Sequence, residues 1–377
     1  MDKKIQMVAL HGQYLKIKQE IDRGIQEVID SCTFINGSQV KEFTQELEEY
    51  SGAKHVITCA NGTDALQIAL MALDLKRGDE VIVPAFTYVA SAEVIGLLGL
   101  TPVMVDVDPR TFNVSVENIK KAISPNTKAV IPVHLFGQSC DMEPIMNLAQ
   151  EYGFHVIEDN AQAIGSVYTF SDGSKKHAGT IGTIGCTSFF PSKNLGCYGD
   201  GGAIFTNDDK LAEKLHMIAN HGQKVKYHHS VIGCNSRLDT IQAIVLRAKL
   251  PHLDEYCAKR KLAADYYTSN LKDVKGIIVP EEMSFSTHVY HQYTLQVLDG
   301  RRDELKAHLA SIGIPSMIYY PLPLQKQEAF KAITRSAESL DISQKLADSV
   351  LSLPMHTELT RDEQDAIIIA IKDFFNS

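Results

Sequence analysis

The chain has 377 residues, 44% hydrophobic and 22% charged, and its 37 basic and 46 acidic side chains leave a net charge of −9. That length exceeds what one hydrophobic core usually spans, so two domains of an ordinary globular protein are expected. The negative charge argues against nucleic-acid and membrane-surface partners, no apolar run reaches the roughly 18–20 residues of a membrane helix, and the first residues lack a signal peptide's apolar stretch.

In chain order, short β-branched runs alternate with helical patterns. Strands are predicted at HVIT (55–58), DEVIVP (79–84), TPVMVDVD (101–108), TKAVIPVHLFG (127–137), FHVIED (154–159), CTSFFP (186–191) and GAIFTND (202–208). Helical spacing lies between them in TCANGTDALQIALMAL (58–73), where Leu66, Ala69, Leu70 and Leu73 share a face, in SVENIKKAIS (115–124) and in MEPIMNLAQEYG (142–153). This rhythm predicts an α/β fold, with parallel strands joined by crossover helices and ligands bound at the strands' carboxyl ends. SDGSKKHAGTIG (171–182) interrupts it as a turn-rich hairpin or loop. After about residue 245 the pattern becomes that of a smaller α+β domain. It holds a charged helix (253–272) after Pro251, GIIVP, the alternating HVYHQYTLQV, the helix RRDELKAHLASIG, a strand near Met317–Tyr320, and a C-terminal helix with Ile367, Ile368 and Ile371. Seven scattered cysteines lack disulfide or metal-ligand spacing, which points to a reducing cytoplasm.

Two predicted strand ends carry the chemistry. FHVIED delivers Asp159, and CTSFFP runs through a short turn to Lys193 and a glycine-rich loop. A lysine alone is most often a solvated surface group, and an aspartate closing a strand is often a helix cap. Together on neighbouring strand ends they meet the needs of pyridoxal 5′-phosphate: an amine to bond its aldehyde carbon and an anion to keep its ring nitrogen protonated. A phosphate site is also at hand, because Gly62 lets the backbone approach an oxyanion and the amides around Thr63 and Asp64 face it from a helix N-terminus. HGQKVKYHH (221–229) offers His221, His228 and His229 without a Cys or acidic partner at metal-ligand spacing, so it reads as a mobile substrate loop and no metal is expected.

NGTDAL, PAFTYVASAE (84–93), VIEDNAQAIG, SFFPSKNLG with GDGGAIFTND, and NSRLDTIQA (235–243) occur in the order and spacing of the DegT/DnrJ/EryC1/StrS nucleotide-sugar aminotransferases, and the chain resembles that family over essentially its whole length. The resemblance implies a fold-type-I aminotransferase with a mainly parallel seven-stranded sheet. Its parts would be a tail (1–20) packing on the small domain, a large cofactor domain (21–248) and a small C-terminal domain (249–377). It also implies a homodimer whose active sites draw on both chains. By the same resemblance, Lys193 is the catalytic lysine, Tyr88 stacks on the cofactor, Ser188 binds its phosphate, Gln162 approaches its hydroxyl, and Asn235 reaches the neighbouring subunit's phosphate. Arg237, Tyr319 and Tyr320 fall at substrate positions, Arg237 because a guanidinium clamps a carboxylate with two hydrogen bonds. Within the family, PSKNLGCYGDGGAIFTND and HGQKVKYHH look most like enzymes that aminate C3 of a UDP-linked 3-keto-N-acetylglucosaminuronic acid with L-glutamate, for surface polysaccharides such as O-antigen or capsule. Tyr319 departs from the histidine usual in that branch, and a 4-keto-6-deoxy-sugar aminotransferase would share the same catalytic parts. A sugar dehydrase would replace Lys193 with histidine. A non-catalytic regulatory protein on this fold would not need Lys193 and Asp159.

Overall fold

The computed structural model describes residues 5–336 and 338–376. All seven strands predicted for the large domain form: β1 (His55–Cys59), β2 (Glu80–Pro84), β3 (Thr101–Val105), β4 (Thr127–Val130), β5 (His155–Asp159), β6 (Ile184–Ser188) and β7 (Gly202–Thr206). They lie side by side as β1-β7-β6-β5-β4-β2-β3, and every neighbouring pair is parallel except the two that involve β7. The sheet has eight strands rather than seven, because Arg335–Ser336 adds in parallel to the free edge of β3. Two residues give no periodicity to read, and tertiary contact holds them: Arg335 donates to the Glu80 carboxylate at 2.8 Å. Regular pairing in β4 stops at Val130, shortly before Pro132, which has no N–H to give a ladder.

Residues of β2 and β7 are buried throughout, as expected of β-branched strands covered on both faces. The covering crossovers include helices Gly62–Ala72, Ala90–Leu97, Val116–Ala122 and Met142–Tyr152. Asn61 and Ser115 each begin a helix by accepting a backbone N–H, from Asp64 at 2.8 Å and Asn118 at 3.2 Å. The segment 171–182 supplies the turn and second strand of a hairpin whose first strand precedes it, Val167–Thr169 against Lys175–His177.

A second core gathers Tyr267, Leu271, Leu295, Leu305, Leu351 and Ile367. It covers an antiparallel sheet of Ile277–Ile278, Tyr293–Val297 and Val350–Leu353. The predicted strand near Met317–Tyr320 does not form. Only Met317 pairs, with Ser352, and Tyr319 and Tyr320 turn instead onto the core of the large sheet. Pro315 and Pro321 bracket the segment and deny it a continuous row of donors. Near the N-terminus, Ile5 enters the second core and the Met7 carbonyl accepts from Met355 N–H at 3.3 Å. Helix Leu10–Ser31, kinked at Ile17, runs through residue 20 and packs Ile17 and Ile21 against Val245 and Ala248. Among the described residues no helix is long and apolar enough to cross a membrane.

The closest backbone approach near the carboxyl end of β1 joins Gly202 to Asn61, where a Cβ on Gly202 would lie 2.5 Å from the Asn61 carbonyl carbon. The atoms it would meet belong to the backbone, not to the end of a flexible side chain. Gly202→Ala is therefore expected to lose about 1–3 kcal/mol in urea denaturation. A loss below about 0.5 kcal/mol, the range of an inert surface change, would contradict this packing.

Candidate active site

Strands β5 and β6 run in parallel with Asp159 beside Cys186. β6 ends at Ser188, and a turn closed by Lys193 N–H to the Phe190 carbonyl (2.8 Å) brings Lys193 back over the strand ends. There a cavity of about 700 Å3 opens, lined by both Asp159 and Lys193. Gly62, Thr63, Tyr88, Gln162, Ser188, Tyr319 and Tyr320 line the same cavity. Sequence separations of up to about 260 residues thus collapse into one site.

Asp159 is 5% exposed. Its carboxylate accepts from Ser91 Oγ at 2.7 Å and from Ala161 N–H at 3.2 Å. Lys193 is partly exposed, but towards the cavity, and the surrounding protein still makes the charged amine costly. Burial pulls its pKa down to about 8 against the opposing pull of Asp159. An amine whose pKa is lowered this far has an accessible neutral form near physiological pH, and that form is a competent nucleophile and proton carrier.

At one end of the cavity, helix Gly62–Ala72 presents its N-terminus. The Asn61 side chain takes the Asp64 amide, and the amides of Gly62 and Thr63 have no acceptor within the helix. A Cβ on Gly62 would sit 2.7 Å from Ser188 Cβ, so only glycine brings this backbone so near the serine. At the other end, Gln162 accepts from Phe136 N–H at 2.8 Å and donates to Tyr320 OH at 3.0 Å. Burial pushes the Tyr320 phenol up and keeps it a neutral hydrogen-bonding group. Tyr88 is 55% exposed, its ring 6.0 Å from that of Tyr320.

Two predicted residues lie elsewhere in this chain. Asn235 is exposed and bridges to Asn220, and Arg237 lines a separate recess of about 320 Å3 with Lys41, Thr44 and His216. Ser236 between them ties the segment to the helix N-terminus, donating to Asp64 Oδ2 at 2.6 Å and accepting from Ala60 N–H at 3.0 Å. The histidine-bearing stretch forms a hairpin, Gln223–Val225 with His228–His229, and leaves Tyr227 79% exposed. Among the described residues no cluster of three His, Cys, Asp or Glu side chains is placed to hold a metal.

Sequence reasoning missed His291 and Gln292, which also line the cavity. They sit just before the strand Tyr293–Val297, inside a run that reads as plain alternation. The signal available was an adjacent polar pair at the entry to a buried strand. Buried Arg260 fixes this segment by donating to the carbonyls of Tyr290 (3.2 Å), His291 (3.4 Å) and Met355 (3.1 Å). Burial, with the cations Lys193 and Arg260, holds the His291 imidazole well below its usual pKa and therefore neutral. Ser91, one helical turn beyond Tyr88, was missed as the Asp159 partner.

These groups suit pyridoxal phosphate. The carboxylate's hydrogen-bond donors are neutral groups, the lysine's pKa is drawn well below the ordinary value, and the helix N-terminus beside Ser188 is narrowed to glycine width. The family model for DegT/DnrJ/EryC1/StrS aminotransferases matches residues 15–372. The chain belongs to this family. It is an aminotransferase, and its cofactor is pyridoxal phosphate. A Pseudomonas aeruginosa protein named UDP-2-acetamido-2-deoxy-3-oxo-D-glucuronate aminotransferase is 47% identical over 94% of this chain and 96% of its own. A pleiotropic regulatory protein of Geobacillus stearothermophilus is 46% identical over 98% of each chain. A crystal structure of NtdA from Bacillus subtilis with bound cofactor PMP superposes with a TM-score of 0.88 at 30% identity, covering 96% of this chain and 82% of that one.

The depressed amine gives a pH-dependent stability. The folded protein binds the Lys193 proton less tightly than the unfolded chain, so this residue's contribution rises with pH between about 8 and the ordinary 10.5. Cofactor-free Lys193→Met protein is expected to exceed the parent in stability by about 1–3 kcal/mol at pH 7, with the difference fading towards pH 10. Urea titrations at both pH values measure it. Equal stability at pH 7, or a gap that widens with pH, would contradict the placement of this amine.

Proposed function

We propose that the enzyme places an amino group on the keto carbon of a nucleotide-linked sugar, with C3 of a UDP-linked 3-keto-N-acetylglucosaminuronic acid as acceptor and L-glutamate as donor. The observation that carries this reading is one cavity holding a lysine of lowered pKa, a buried carboxylate and a free helix N-terminus, in a chain 47% identical to a protein named for that substrate. Surface-polysaccharide synthesis in the cytoplasm is the corresponding setting, and seven free cysteines accord with a reducing compartment.

In this reading Asp159 would face the cofactor's ring nitrogen, with Ser91 orienting the carboxylate. Lys193 would bond the aldehyde carbon, Tyr88 would stack on the ring, Gln162 would meet the ring hydroxyl, and Gly62, Thr63 and Ser188 would hold the phosphate. Pyridoxal phosphate, when bound, supplies the electron sink. Lys193 Nζ takes the α-proton of the amino donor in one half-reaction and delivers a proton to the former keto carbon in the other. Tyr319 and Tyr320 face the sugar.

Arg237 and Asn235, which lie outside their own chain's cavity, serve the site of a second copy in a homodimer, Asn235 at the phosphate and Arg237 at a carboxylate. The chain divides at about residues 20 and 248: apart from Ile5 the second core draws only on residues 263–371, which supports the later boundary, while Leu324, Phe330 and Leu346 cross back to the core of the large sheet. A regulatory role is the second reading, favoured by the name of the Geobacillus relative. It gives no reason for a chain to keep a lysine of lowered pKa in one cavity with a buried carboxylate.

A panel of keto nucleotide sugars with glutamate, read by 2-oxoglutarate release, tests the substrate. Turnover confined to 4-keto-6-deoxy sugars would replace the acceptor, and no turnover on any would favour the regulatory reading. With the preferred acceptor, Asp159→Asn should keep cofactor and lose about 10²–10³-fold in kcat, the scale of removing one preorganised electrostatic group. Near-parental turnover would remove Asp159 from the mechanism.

Sharing of sites is tested by mixing two inactive variants, Lys193→Ala and Arg237→Ala. In a two-fold dimer with random exchange, half the molecules are mixed and each has one intact site, so recovery approaches about one quarter. No recovery, with exchange confirmed by mass spectrometry, would place Arg237 outside any shared site.

A further inference from the structure

Lys249 is a buried cation that the reaction does not use. It ends helix Thr240–Lys249 and is 1% exposed, and no carboxylate among the described residues contributes to its electrostatics. Its Nζ donates to the Gly196 carbonyl at 2.6 Å and lies 4.7 Å from the centre of the Tyr198 ring. Burying an ammonium without an anion is costly, and burial pulls its pKa to about 8. A methionine would fill the same space at less expense.

The position of Gly196 explains what the cation holds. Around Gly196 the loop after β6 folds tightly back on itself: a Cβ there would meet the Pro191 carbonyl oxygen at 2.4 Å and that of Phe190 at 2.8 Å. The Phe190 oxygen is the acceptor that closes the turn to Lys193 N–H. Gly196 is thus wedged against the two carbonyls that set the lysine's backbone, and Lys249 holds Gly196 from below. Two helical turns earlier on the same helix, Gln242 accepts from Tyr198 N–H at 2.8 Å and donates to the Tyr198 carbonyl at 3.3 Å. The i, i+7 spacing puts both anchors on one face. The helix also packs Val245 and Ala248 against Ile17 and Ile21 of helix Leu10–Ser31, so it is itself braced.

We propose that Lys249 is a positioning residue for Lys193: through Gly196 it fixes the turn from Phe190 to Gly196, and Gln242 is the second anchor of the same loop. The proposal rests on Lys193 being the working lysine, but its test does not. Losing the anchor loosens the turn, admits water around Lys193 and raises the proton affinity of its amine, while Asp159, His291 and Asp200 still face the cavity.

The test uses full-length protein stripped of cofactor and pulsed with an amine-acylating reagent across pH 6–11, with the Lys193 peptide quantified by mass spectrometry. The parent midpoint is expected near 8. Lys249→Met should move it upward enough to lower the neutral fraction at pH 8 by about threefold or more. Gln242→Ala, at a half-buried position, should move it the same way by less, and it carries the test if Lys249→Met does not fold. Ile367→Ala, which empties part of the distant second core, should lower thermal stability without moving the midpoint. Unchanged midpoints in the folded anchor variants, or an equal shift in Ile367→Ala, would overturn the proposal. Neither result bears on whether Lys193 bonds the cofactor, so the two readings fail separately.

Discussion

A lysine whose pKa is drawn down to about 8 in the same cavity as a buried carboxylate is the arrangement around which this molecule is organised. In water the two groups would be a hydrated, charged pair. Here the surrounding protein depresses the amine while Asp159 keeps only neutral hydrogen-bond donors close to it. Such a pair is costly to maintain and persists only where rigid structure enforces it. The parallel strands supply the rigidity, because β5 and β6 end side by side and fix where the two residues begin. Opposed roles for the two groups follow from environment rather than from residue type.

The rest of the fold serves that placement at successive distances. Ser91 orients the carboxylate from the helix that follows Tyr88, and Arg260 sets His291 by its backbone carbonyl rather than its ring. At the phosphate end, glycines work by absence: Gly62 against Ser188 and Gly202 against Asn61 leave no room for a methyl group. Ser236 links that end to the segment bearing Asn235 and Arg237, so the recess outside the cavity and the helix N-terminus inside it are mechanically one unit.

Much of this was legible in the sequence for definite reasons. The seven large-domain strands are mostly buried, so their apolar runs survive as a pattern, and Lys193 and Asp159 stand out because they close or follow such runs. The small, turn-forming residues before Leu66 likewise marked a helix N-terminus. What escaped depended on tertiary context. Arg335–Ser336 is too short to show a period and is held by Glu80. Met317–Tyr320 has strand-like composition, but prolines on both sides leave one pairing and send two tyrosines to the cavity. His291 and Gln292 look like ordinary members of an alternating run, and only the chain's return to the large sheet reveals which way they face. Asn235 and Arg237 could be singled out by resemblance, yet nothing local says that their own cavity lies elsewhere.

The most direct test of this account is borohydride reduction of the cofactor-loaded protein followed by peptide mapping. The account predicts one reduced adduct, on Lys193, and none in Lys193→Ala. An adduct on any other lysine of the parent, or one that persists in Lys193→Ala, would contradict it.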